Sequence, residues 1–179
     1  AGAERTDRTR FLAAQAGLVL AEPHYAAFNA VQLVQPFEQN LKRKRELMDA
    51  ALQAYEGLVA YEVGEVTTAA TFQMAENYTN LSRAVLDSER PRGLSAAELA
   101  EYEDVLEEEA FPFEERAIEV HEANVELMIA AGVYNRWIEQ SFARLATLMP
   151  GRYAKEEQSI GLLGAIGVFV VKFAKVILV

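Results

Sequence analysis

Histidines and a dense set of carboxylates are the residues of this sequence with the most obvious chemistry. His121 lies in an acidic stretch, with Glu115, Glu119, Glu122 and Glu126 around it. In a helical protein that neighbourhood raises the question of a carboxylate-bridged di-metal centre. Such a centre takes Glu-x-x-His pairs from facing helices, because that spacing puts both side chains on one helix face. Here the spacing fails, since Ile118 precedes His121 and Ala21 precedes His24. A His-Glu-x-x-His zinc motif fails as well, because Val125 stands where the second histidine is needed. The absence of cysteine excludes disulfides, thiolate metal sites and cysteine nucleophiles. There is no glycine-rich phosphate loop, and no serine has a base at a recognisable spacing. The chain is therefore read as non-catalytic, with no metal, no cofactor and no small-molecule substrate.

The acidic run has a different chemistry to offer. From Leu94 to Glu126 there are twelve acidic residues and one basic one, Arg116. Glu101, Asp104, Glu107, Glu108, Glu109 and Glu115 are candidates for binding a basic segment of a protein partner. The plainer reading is the solvated face of two helices. The basic run Lys42-Arg43-Lys44-Arg45 is the obvious internal counter-charge, and contact between the two would make the acidic face structural. Formal charge is −10, with all 27 acidic residues at or before Glu157. Nucleic-acid binding needs cations to displace phosphate counterions, so an acidic body argues against it. Tyr134 and Trp137 are a second candidate, as aromatic anchors for a partner. Against this, positions 134, 137, 138, 141, 142 and 145 share one helical face and read first as core. Two glycosylation triplets, at Asn77 and Asn80, fall inside a predicted helix and are read as chance.

Residues 159–179 change character, with Lys172 and Lys175 as their only charges. As a helix, the 20 residues from Ile160 would span about 30 Å, the thickness of a hydrocarbon core. Leu162, Leu163, Ile166, Phe169, Val170 and Phe173 supply the apolar surface, and Lys172 and Lys175 could snorkel to headgroups. Spanning a membrane, lying in its interface and packing as a buried helix all stay open. The pattern divides the chain into a helical domain, 1–155, and a hydrophobic helix, 159–179, which is a candidate membrane anchor.

Positioning these groups falls to long helices, because most glycines and prolines sit at a few sites. A helix is expected from Thr6 to Leu20, with Pro23 kinking it or starting another. A long one follows from Pro36 to about Tyr61, with Gly64 placed to end it in a left-handed cap. Thr67 to Leu86 is next, and Met74, Tyr78, Leu81 and Val85 form its core stripe. Its other face is expected to stay free for binding. Ser95 and Glu98 make a capping box that starts another helix. Ala110-Phe-Pro112-Phe predicts a break or kink, Gly132 a cap, and Val133 to Leu148 the last body helix. Short connections predict antiparallel neighbours. The expected class is all-α: an antiparallel helix-hairpin array, as a right-handed solenoid or irregular bundle, with a C-terminal hydrophobic helix.

Met74-Ala-Glu-Asn-Tyr78 resembles the first-helix signature of a tetratricopeptide repeat. Longer phrases, from Lys42 to Tyr78, Leu86 to Asn124 and Gly132 to Lys155, resemble the C-terminal part of large tetratricopeptide repeat proteins. Those are Gram-negative envelope proteins of the gliding-motility and biopolymer-transport-associated type. The resemblance implies a periplasmic or envelope interaction scaffold, serving a motor or transport complex, with no catalytic residues to carry over. The predicted helices exceed what a 34-residue repeat holds, so this would be an irregular terminal cap. A rival expectation is a membrane-anchored or membrane-active protein whose tail is the functional element.

Overall fold

The structure is a computed structural model and describes residues 6–153. The tail expectations, with Leu162, Leu163, Ile166, Phe169, Val170, Lys172, Phe173 and Lys175, lie outside the described residues. In order come α1 (Asp7–Asn29), α2 (Phe37–Val59), α3 (Gly64–Leu86), α4 (Ala96–Ala131), α5 (Arg136–Leu148) and the short α6 (Pro150–Tyr153). Among the described residues there is no strand, and the chain is all-α. None of these helices is long and apolar enough to cross a membrane.

The helix ends follow from local chemistry. Thr6 and Thr9 cap α1 reciprocally, and Ser95 and Glu98 do the same for α4. Gly132 ends α4 with φ 63°, a left-handed conformation that costs glycine nothing. Asn135 caps α5 by accepting from the Trp137 and Ile138 amides.

Of the alternatives at the two prolines, a restart at Pro23 and a break at Pro112 are corrected, as is the stop at Gly64. Pro23 lies inside a single continuous α1, and Pro112 inside a single 36-residue α4. Both prolines are exposed. The carbonyl each leaves unpaired one turn back therefore meets water, while the buried side of the helix packs without interruption. Gly64 does not end α2: the left-handed residue of that turn is Glu62, with φ 54°. Gly64 instead opens α3, where a Cβ would lie 3.0 Å from Val133 Cγ2.

Consecutive helices run antiparallel. Gly17 meets Leu58 while Phe28 meets Lys44 across α1 and α2. Thr68 meets Asn124 while Glu76 meets His121 across α3 and α4. The centre of the array is α3, which packs against α1, α2, α4 and α5. One side joins Val66, Ala70, Leu81 and Val85 to the apolar residues of α1 and α2, such as Phe28, Met48 and Tyr55. Its opposite side meets α4 and α5. The face expected to be free for binding is therefore covered, and only Glu65 and Arg83 of this helix are exposed. In the expected stripe Leu81 and Val85 are buried, whereas Met74 and Tyr78 are half-buried.

Many buried side chains of α3 are polar, and most find partners nearby. Thr68, Thr71 and Thr79 hydroxyls donate to carbonyls three or four residues back, and Asn77 donates to the Gln73 carbonyl. This back-bonding satisfies donors that would otherwise cost free energy in the core. Asn77 is fully buried and Asn80 bonds Asn29, so neither triplet presents a free amide to modification.

Candidate functional site: an acid-rimmed groove between two helices

The backbones of α2 and α4 do not meet; α3 lies between them. Phe37, Leu41 and Arg45 project from α2, and Tyr102, Val105, Leu106, Glu109 and Phe113 from α4. With Val85 of α3 they line an apolar groove of about 180 Å³. The α4 residues recur at three and four positions, one helix face, so a single long helix builds a whole wall. Val105 is 52% exposed at the rim. The groove lies near the bundle end where the α1–α2 and α3–α4 connections are tied together. There the Glu89 amide donates to the Leu33 carbonyl, and the Gln35 amide to the Glu89 carboxylate at 2.8 Å.

Glu109 lines the groove, and Glu101, Asp104, Glu107, Glu108 and Glu115 are exposed on the same helix. None of these six takes part in an ion pair among the described residues. Glu103, Glu119 and Glu122 are paired, with Arg90, Arg116 and Arg152. The basic run does not neutralise the ridge. Lys42 pairs with Glu46 on its own helix, and Arg45 faces Glu109 across the groove without pairing to it.

Lys44 is the unexpected member of that run. It is 1% exposed, donates to the Phe28 and Val31 carbonyls at 3.2 and 3.0 Å, and lies 4.3 Å from the centre of the Phe28 ring. It closes the C-terminal end of α1, where helix carbonyls lack partners. Burial lowers its pKa from 10.5 to about 8.

The aromatic candidates form no part of the groove. Trp137 is half-buried, 5.5 Å from the Phe72 ring, while Tyr134 is 54% exposed before α5. From Glu109 to the end of α4 the helix rises about 30 Å, so acidic ridge and aromatic pair are separate surfaces. The core reading holds for the deeper positions of α5: Ile138, Ser141 and Leu145 are fully buried.

One constellation has no signature in the linear sequence. His121 and Ser141 are fully buried, with Nδ1 3.2 Å from Ser141 Oγ and Nε2 3.6 Å from Glu76 Oε1. The order carboxylate, imidazole, hydroxyl is that of a hydrolytic triad. Its setting is different. Ser141 Oγ also accepts from Asn124 at 2.9 Å, and no solvent reaches it. Arg144 grips Glu76 with a fork of 2.8 and 2.7 Å. Burial alone would raise the Glu76 carboxyl, but His121 and Arg144 outweigh it and hold it below the ordinary carboxylate range. Asn124 and Asn135 add bonds to the Thr68 carbonyl and hydroxyl. The network thus ties α3, α4 and α5 in one register, with the 3.6 Å gap leaving Nε2 without a hydrogen bond. Among the described residues no three His, Asp or Glu side chains group as metal ligands.

The chain matches no family model, no curated protein and no solved structure.

Proposed function

We propose that the helical domain is a non-catalytic protein-interaction scaffold that holds a partner segment in the groove between α2 and α4. The carrying observation is an apolar groove walled by a helix that carries six carboxylates taking part in no ion pair among the described residues. A segment with one or two apolar anchors and flanking Lys or Arg fits that chemistry. The anchors fill the groove over Val85, and the ridge steers and registers the basic residues. About 180 Å³ suits a side-chain anchor better than a drug-sized ligand, whose pockets run to several hundred Å³. The reading keeps the setting of the resemblance, a bacterial envelope complex such as a transport motor. It keeps its architecture too, an irregular tetratricopeptide-like cap, in line with consecutive antiparallel helices longer than a repeat would hold. The rival, with the tail as functional element, rests on residues outside the described ones.

Labelled peptides pairing Phe or Leu with flanking Lys and Arg are the probes, and acidic peptides of equal hydropathy are the controls. Basic peptides should bind, weakening as salt rises. Val105→Arg and Glu109→Lys, both at solvent-accessible positions, should each lower affinity about tenfold. Equal binding of acidic peptides, or indifference to both substitutions, would overturn the proposal.

A further inference from the structure

A second surface, unrelated to the groove, runs along α1. Ala14, Ala21 and Phe28 bury one side of this helix against α2 and α3. The opposite side carries Leu12, Ala16, Val19, Leu20, Pro23 and Ala27, all exposed. Leu12, Val19 and Leu20 are 54%, 63% and 72% exposed. Their spacing makes a continuous apolar stripe of about four turns, roughly 22 Å long. A stripe of that length, with no charge within it, marks a contact surface rather than a solvated face.

Charges flank the stripe in a pattern that points to its occupant. Arg8 and Glu22 are exposed and take part in no ion pair among the described residues. Fourteen residues apart, just under four turns, they share one flank of the helix. Ala16 lies near the midpoint between them. When two such helices cross antiparallel at Ala16, Leu20 of one copy lies beside Leu12 of the other. Glu22 of one copy then comes within about 3 Å, along the axis, of Arg8 of the other. The two-fold axis repeats that pair at the far end. A lipid surface would favour basic flanks at both ends, whereas this flank is positive at one end and negative at the other. We infer that α1 is a homodimer interface: a second copy of this chain packs antiparallel on its outer face, as in the isologous contacts of two-fold dimers.

The test is sedimentation equilibrium of the full 179-residue chain from low to high micromolar concentration. The chain should reach a dimer, and Leu20→Glu, at an exposed position, should abolish it. Arg8→Glu and Glu22→Arg should each raise Kd about tenfold, turning two attractions into repulsions, and the double swap should restore it. Because the chain has no cysteine, Ala16→Cys supplies a single thiol. Under mild oxidation it should give a disulfide-linked dimer, whereas Glu107→Cys should not. A monomer at every concentration would overturn the inference. So would association that survives Leu20→Glu and both single swaps, which would place the contact on another surface, the tail included. A monomer that binds phosphatidylcholine vesicles through Leu20 would assign the face to lipid instead.

Discussion

Replacing Lys44 with Met should leave stability near neutral pH almost unchanged but remove a pH dependence. In the folded chain Lys44 is 1% exposed, and burial lowers its pKa from 10.5 to about 8. At about 1.4 kcal/mol per pH unit, that gap makes the buried charge cost roughly 3 kcal/mol at neutral pH. Methionine keeps the stem's bulk and removes the charge. It also forfeits the contact with the Phe28 ring and leaves the Val31 carbonyl without its lysine donor. Those losses amount to about 2–4 kcal/mol, so the two sides nearly cancel. The pH profile separates them. Between about 8 and 10.5 the unfolded chain holds more protons on Lys44 than the folded one, so stability contributed by this group rises with pH. From pH 7 to pH 10 the wild type should gain roughly 2 kcal/mol relative to Lys44→Met. Urea denaturation of both chains across that range measures the difference. Taking the difference also cancels Tyr55 and Tyr153, raised to about 12, which destabilise both chains above pH 10. A difference constant from pH 7 to 10 would refute the reasoning.

Glu76→Gln should cost about 2 kcal/mol near pH 7, between an exposed and a fully buried pair, because the Arg144 side chain is 40% exposed. The wild-type advantage exists while Glu76 is ionised and is lost as pH falls through its lowered folded pKa. Denaturation curves should therefore converge in acid, and an equal gap at both pH values would count against the network. Gly57→Ala should stabilise by about 1 kcal/mol. A Cβ there meets no atom within 4 Å, and the melting temperature is the readout.

Where one short segment decides the outcome, the sequence was readable. Ser95 and Glu98 cap a helix because both partners lie within one turn, and Gly132 ends one because its own φ requires little else. The misreadings came from positions settled by distant packing. Pro112 was expected to break or kink the helix; it does not break it, because α4 is held along its buried side by α3 and the lost bond faces water. Gly64 was expected to stop a helix, yet Glu62 takes the left-handed turn, and glycine serves the approach of Val133. Lys44 was grouped with three solvated neighbours, and only the position of α1 shows that it is inside. The apolar residues of the groove were legible as apolar. That Phe37 and Phe113 would border open space, rather than each other, depends on α3 keeping α2 and α4 apart. Glu76, His121 and Ser141 come from three helices, so no spacing rule connects them.

The two-sided character of α3 bears on how the chain is made. Most of its apolar side faces α1 and α2, which precede it on the ribosome, while Leu81 and Val85 also meet Leu106 and Ala110 of α4. The other side faces α4 and α5, which have yet to emerge, and there it carries Thr68, Thr71, Glu76, Thr79 and Ser82. A three-helix nascent chain can thus bury much of its apolar surface before α4 emerges. What it shows meanwhile is mixed: hydroxyls and a carboxylate that water satisfies, with the Phe72 ring among them waiting for His121 and Trp137. The same threonines later enter the core with their hydroxyls already bonded to their own helix. Docking of α4 then requires little desolvation of unpaired donors, and the order of synthesis and the order of burial coincide.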